Sequence, residues 1–171
     1  RYATAVANID DAPSVDIADV HEYFLYDLRG QRIAEVDGQG YLHEYQYNEH
    51  EHSRTTVHYA ERLSEIDIAQ ASLRELRERA SSAQDRSEVS HYDGEDRLLR
   101  HTDAQGLVTE HFYDASGNRV RTVKTDSQSD ERRLSRQRYD QHGRLTGELN
   151  AAGSQLLRDD MSRDEVDALY Q

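Results

Sequence analysis

The groups in this chain that could do chemistry are carboxylates and imidazoles: 34 Asp and Glu and nine His, with no Cys among the 171 residues. Two short clusters stand out. Asn8, Asp10 and Asp11, inside Val-Ala-Asn-Ile-Asp-Asp-Ala-Pro at 6–13, offer the hard oxygen donors that Ca²⁺ takes. The competing reading is a plain acidic loop. His50 and His52 lie in Asn48-Glu49-His50-Glu51-His52-Ser53, with His43 and His58 nearby. Two His at i and i+2 on a strand face one side and could share Zn²⁺. No Gly, Cys or fixed third ligand accompanies them, and a degenerate polar turn is the competing reading. No cofactor is expected, with calcium as the one candidate.

A convergent catalytic set is not found. There is no Cys nucleophile and no G-x-S-x-G elbow. His50-Glu51-His52 lacks the i,i+4 spacing of zinc proteases, and no Gly-rich phosphate loop exists. Most Asp residues instead open turns, where the side chain bonds the backbone two residues on. The chain is therefore expected not to be an enzyme. The eleven Tyr recur at fixed places and are expected to stack on one another across strands. A row of aromatics for glycans is the alternative.

The elements that must position these residues come from a repeat. Tyr92-Asp93 returns as Tyr113-Asp114 after 21 residues, with Asp103-Ala104-Gln105-Gly106 between and Asp114-Ala115-Ser116-Gly117 following. Tyr26-Asp27-Leu28-Arg29-Gly30 opens a similar unit, closed by Asp37-Gly38-Gln39-Gly40, and Tyr47-Asn48 stands 21 residues on. Tyr139-Asp140-Gln141-His142-Gly143 opens a third, followed by Asn150-Ala151-Ala152-Gly153. Asp starts each turn, and Gly accepts positive φ at its end. The expected fold is mainly β: tandem hairpins in an extended, twisted antiparallel sheet with one inserted amphipathic helix.

These units resemble the YD repeats of the RHS family, whose core is Y-D-x-x-G-R-L followed by a D-x-x-G turn. The resemblance implies structural roles for Tyr26, Asp27, Gly30, Gly40, Tyr92, Asp93, Gly106, Tyr113, Asp114, Gly117, Tyr139, Asp140, Gly143 and Gly153. In that family the hairpins follow one another in a spiralling sheet. The sheet closes into a hollow shell in bacterial toxin complexes and forms a barrel used for adhesion in teneurin-like proteins. The self-cleaving Asp-Pro segment that ends toxin shells has no counterpart here, since the only Pro is Pro13. The stretch 6–13 is similar to calcium-holding linkers of cadherin-like bacterial adhesins.

The organisation reads as the end of a previous repeat and an acidic spacer at 1–20, a repeat pair at 21–60, a helical spacer at 61–88, a second pair at 89–126, a polar spacer at 127–138 and a degenerate third repeat with a short C-terminal helix at 139–171. Strands are expected at 21–28, 31–36 and 41–47. In the helical spacer, Ile66, Ala69, Leu73, Leu76 and Ala80 fall at spacings of three and four, one apolar stripe. Ser64 with Asp67 resembles a capping box, and Glu75 with Arg79 an i,i+4 ion pair. The stripe is expected to cover the apolar face of the sheet; a coiled-coil or partner-docking helix is the rival. Strands at 145–149 and 154–157 are expected to form the last hairpin, and Ser162 to cap a terminal helix through Leu169.

A net charge of −13 argues against nucleic acid as a partner. No membrane-spanning run or signal peptide is present. The chain starts at Arg1, mid-pattern, and reads as a piece of a longer protein. What the resemblance implies is a non-catalytic structural segment of a very large secreted or cell-surface bacterial protein serving adhesion. A shell segment of an RHS-type toxin is the alternative, and a calcium- or glycan-binding module is a third reading. The expected partners are neighbouring repeats of the same parent chain, with self-association through exposed sheet edges.

Overall fold

The computed structural model describes residues 21–63, 68 and 70–170. Ten strands form one antiparallel sheet in which each strand pairs with its neighbours in sequence. They are β1 (Tyr23–Tyr26), β2 (Arg32–Val36), β3 (Leu42–Asn48), β4 (Ser53–His58), β5 (Arg86–Tyr92), β6 (Leu98–Thr102), β7 (Leu107–Tyr113), β8 (Arg119–Asp126), β9 (Arg132–Tyr139) and β10 (Leu145–Leu149). Helix α1 (Leu73–Ala80) lies between β4 and β5, and α2 (Ala151–Gln155) and α3 (Arg163–Leu169) follow the sheet.

Turn chemistry explains the strand breaks. In six turns one Asp carboxylate oxygen accepts the N–H groups two and four residues on. These are Asp27, Asp37, Asp93, Asp103, Asp114 and Asp140. The fourth residue of each turn must take positive φ. Gly does so in five of them, and Asp96 does so at φ 59 in the sixth, as short polar side chains tolerate.

Because consecutive strands alternate direction, consecutive turns alternate between the two ends of the sheet. The turns opened by Tyr26-Asp27, Tyr47-Asn48, Tyr92-Asp93, Tyr113-Asp114 and Tyr139-Asp140 follow the odd-numbered strands, so all five share one rim. The opposite rim carries the Asp37, Asp103 and Asp126 turns and the α1 insertion.

The core forms where α1 crosses β2 and β3. Ala34, Val36 and Leu42 from the sheet and Leu76 and Ala80 from the helix are fully buried, joined by Tyr59 and Leu63. Burying a Leu such as Leu76 contributes about 1.5–3 kcal/mol. The stripe residues Leu73, Leu76 and Ala80 thus do cover the sheet. The helix starts later than the periodicity predicts: Ser72 is its N-cap, in a capping box with Glu75. The predicted Ser64–Asp67 box, with Ile66 and Ala69, lies outside the described residues. Glu75 bonds Ser72 rather than Arg79, and the i,i+4 ion pair is Arg74–Glu78 at 2.8 Å.

Three further expectations are corrected. The stretch 127–138 is not a polar spacer. It holds a tight turn and most of β9, because Asp126 caps Gln128 N–H and Asp130 takes φ 53 where a Gly would stand. Asn150-Ala151-Ala152-Gly153 is not a hairpin turn. Asn150 caps α2 by accepting Gly153 N–H at 2.9 Å, so the backbone continues as helix and no strand follows β10 among the described residues.

The aromatics meet arginines rather than other tyrosines. Arg32 lies 5.0 Å from the Tyr45 ring, Arg97 4.9 Å from Tyr113, and Arg121 3.6 Å from Phe112. Register accounts for the last of these, since Phe112 stands directly opposite Arg121. A guanidinium over an aromatic face is attractive in its own right.

Candidate functional site

Residues 42–59 carry chemistry on both faces of the sheet, because successive side chains of a strand point opposite ways. On the α1 face, Glu44 is 3% exposed. Its carboxylate accepts from Arg77 Nη2 at 2.6 Å and Nε at 3.0 Å, from Tyr59 Oη at 2.7 Å and from Gln46 Nε2 at 3.1 Å. Burial works to raise the Glu44 carboxyl, but the bonds from Arg77, Tyr59 and Gln46 outweigh it and hold it below the usual range. Burial and the bond to Glu44 push the Tyr59 phenol up to about 12. A buried charge with four donors is satisfied rather than reactive, and it ties α1 to β3.

On the opposite face a polar line crosses four strands. Asp37 Oδ2 faces His43 Nε2 at 3.3 Å, and His43 Nδ1 meets His58 Nδ1 at 2.8 Å. His58 Nε2 faces Glu88 Oε1 at 3.8 Å, and His101 Nε2 faces Glu88 Oε2 at 3.8 Å. His101 Nδ1 completes the line with Ser90 Oγ at 3.1 Å. Burial raises the Asp37 carboxyl, and bonds from Tyr41 N–H, His43 and Gln39 N–H overcome this to leave it lowered.

Ser90, His101 and Glu88 stand in the order of a nucleophile, base and acid. Yet Ser90 is 7% exposed and sits mid-strand, where ladder bonds to β4 and β6 occupy the backbone. A substrate carbonyl would have neither access nor free N–H donors there.

The residues singled out in the sequence fall elsewhere. His50 and His52 sit in the β3–β4 turn rather than on a strand, so they share no face. His50 N–H bonds Asn48 Oδ1 at 3.1 Å, and His52 takes φ 47. Asn48 and His52 line an open cleft of about 450 Å³ on the Tyr-Asp rim, together with Tyr47, Tyr92 and Asp96. The calcium candidates Asn8, Asp10 and Asp11 lie outside the described residues.

Tyr26, Tyr92, Tyr113 and Tyr139 end their strands, and Asp27, Asp93, Asp114 and Asp140 open the turns that follow. Gly30, Gly40, Gly106, Gly117 and Gly143 all hold positive φ, whereas Gly153 lies inside α2. Tyr47 Oη donates to Arg32 O at 3.0 Å and Tyr113 Oη to Leu98 O at 2.9 Å, each reaching back 15 residues. These bonds link each tyrosine to the repeat before it.

The His-carboxylate line was not visible in the sequence. It depends on the β4–β5 pairing that places His58 and Glu88 together, and the α1 insertion hides that register. A clue was present in the 15-residue separation of His43 and His58, which the repeat frame pairs across one hairpin.

A sheet of sequential hairpins with Asp-capped turns and tyrosines tied to the preceding unit defines a β-hairpin repeat protein. Residues 92–129 match the family model described as RHS Repeat. In fold it is similar to the crystal structure of TcdB2-TccC3-Cdc42, at 14% identity and TM-score 0.56, covering 75% of this chain and 7% of that one. It is likewise similar to TcdB2-TccC3 without its hypervariable C-terminal region, at 14% identity and TM-score 0.55, covering 75% of this chain and 6% of that one. No curated protein matches the sequence. The chain thus spans less than a tenth of the length of these structures.

Proposed function

We propose that this chain is a non-catalytic wall segment of a larger secreted or cell-surface RHS-repeat protein. The observation that carries the reading is the strictly sequential order of the ten strands. Each hairpin adds to the last, and β1 and β10 each have one strand neighbour among the described residues. Such a sheet is continued by adding hairpins at its edges, and neighbouring repeats of a parent chain are the partners it fits. The carboxylates support a structural role, since they cap turns or tie down α1.

An enclosing wall of the toxin-complex kind is favoured over an adhesive barrel, because TcdB2-TccC3 has a similar fold. Among the described residues no helix is long and apolar enough to cross a membrane.

Amide hydrogen exchange tests the reading. In the chain alone, β1 and β10 should exchange faster than β3 to β8. In a version extended by flanking repeats of the parent protein, both should slow to the rate of the inner strands. Edge strands that exchange equally in the two versions would contradict continuation at the edges.

A further inference from the structure

The five turns on the Tyr-Asp rim leave four gaps between neighbouring turns. In the first four turns the residue after the positive-φ position stands at the gap that follows: Gln31, Ser53, Arg97 and Asn118. Arg97 shows how a gap is filled. Its guanidinium bonds Asp93 and Glu95, both at 2.7 Å, and lies 4.9 Å from the ring of Tyr113 at the end of β7. Its remaining nitrogen, Nη1, is 3.5 Å from where a Cβ on Gly117 would stand, Gly117 being the positive-φ residue of the next turn. Asn118 spans the last gap in the same way, with Oδ1 3.4 Å from the Cβ position of Gly143. In the first gap Gln31 lies beside Tyr47, and Arg29 and Glu49 join the two turns.

The second gap differs. Its filling position holds Ser53, the shortest of the four side chains, and a cleft of about 450 Å³ remains between the β3–β4 and β5–β6 turns. Here Tyr92 takes the place of Tyr113, and Asp96 takes the place of Gly117. A carboxylate thus stands where, in the next gap, a guanidinium nitrogen approaches a bare glycine. Among the described residues no ion pair engages Asp96, because Arg97 beside it is held by Asp93 and Glu95. Asp96 holds φ 59 where Gly30, Gly117 and Gly143 serve other turns of this rim, and His52, across the cleft, holds φ 47. The left-handed region costs a side-chain-bearing residue energy, and strain of this kind, kept where the repeat otherwise uses Gly, points to a use for the side chain.

We propose that this cleft receives the guanidinium of an arginine presented by a partner polypeptide, with Tyr92 as its stacking face and Asp96 as its counter-ion. Arg suits it better than Lys, because a planar guanidinium stacks on a ring while presenting several donors to a carboxylate. The volume falls in the range of small-ligand sites, about 300–1,000 Å³. The net charge of −13 draws a cationic partner. It also favours an arginine within a chain over the free amino acid, whose α-carboxylate the acidic surface repels. Arg54 lines the cleft too, but its guanidinium turns toward the Tyr45 ring, 5.8 Å from the centroid and inward of Tyr47 along β3.

NMR titration of the isotope-labelled whole chain with the capped peptide acetyl-Gly-Arg-Gly-amide tests this. Saturable shifts should centre on Tyr92, Asp96, His52 and Ser53. The peptide with Lys at its centre and free arginine should each bind more weakly, and the peptide with Gln should not bind. Asp96→Asn should weaken binding about tenfold, as loss of one charge-assisted bond requires. Asp96→Gly should weaken it at least as much while keeping a Tm no lower than that of the unsubstituted chain, which separates recognition from a structural role. Ser53→Arg should supply the cation from within, raise Tm and abolish binding. The proposal is overturned by equal binding of the Arg and Gln peptides, by free arginine binding as tightly as the capped peptide, by shifts centred elsewhere, by binding that survives Ser53→Arg, or by an Asp96→Gly variant that binds unchanged or melts lower.

Discussion

Single side chains in this protein act mainly on the backbone beside them. Gly106 holds φ +87, and a Cβ added there would meet Ser127 Oγ at 2.5 Å. Gly106→Val should destabilise by at least about 1–2 kcal/mol for the left-handed backbone alone. Gly38, outside the positive-φ set, should tolerate Ala with little change; thermal unfolding of the two variants makes the comparison, and equal Tm values would contradict the turn assignment.

The carboxylates set the response to acid. Bonds from Asn118 hold the Asp114 carboxyl low, and backbone N–H bonds from Gln128 and Arg144 do the same for Asp126 and Asp140. Their native values lie below those of the unfolded chain, as does that of Glu44. The stabilisation is therefore complete above the ordinary carboxylate range, about pH 4, and is lost as pH falls through the native values. Tm measured against pH should be level near neutrality and fall progressively below about pH 4. A protein equally stable at pH 3 and pH 7 would show that these bonds do not hold the fold.

At the scale of elements, α1 is held by a few apolar side chains and one ion pair whose carboxylate, Glu44, is buried. Arg77→Ala leaves Glu44 buried beside Tyr59 and Gln46 without its cation. The cost should be about 2–3 kcal/mol, below that of a wholly enclosed pair because the guanidinium is half exposed to solvent. Circular dichroism and urea unfolding would register the loss, and an unchanged midpoint would assign the anchor to Leu76 and Ala80 alone. Ser72→Ala should cost about 1 kcal/mol through loss of the cap.

The stripe that docks α1 was legible because Leu73, Leu76 and Ala80 repeat at helical spacing. Its partner was not, because no local pattern connects Arg77 with Glu44, 33 residues away. The sequence shows a strand resuming at Arg136 to Tyr139, but the first half of β9 was hidden for a related reason. Its turn uses Asp130 at positive φ, so the Asp-to-Gly sign that marks the other turns is absent. The α2 helix was missed because Asn150 can open a turn or cap a helix, and the residues after it decide which.

Across the whole molecule the repeat made the architecture readable, since a 21-residue return fits two strands and two turns. The pairing of β4 with β5 was beyond it, because α1 interrupts the count and with it the order of His43, His58, Glu88 and His101. The edges set association. The net charge of −13 makes copies repel, while β1 and β10 have one strand neighbour each among the described residues and can pair through the other edge. Light scattering should find self-association rising with protein concentration and with added salt, which screens the repulsion. Association that weakens with salt would point to ion pairs rather than strand edges as the contact.

The shared rim of the five Tyr-Asp and Tyr-Asn turns carries a rule about growth. Adding one strand would send every later tyrosine to the opposite end and reverse the direction of every later strand. Duplication can therefore lengthen this sheet only in steps of two strands. Insertions are freer than duplications, since a segment such as α1 that leaves and re-enters at the same rim preserves the parity of all that follows. A sheet with two chemically distinct rims can thus accept new material at one while the other keeps its phase.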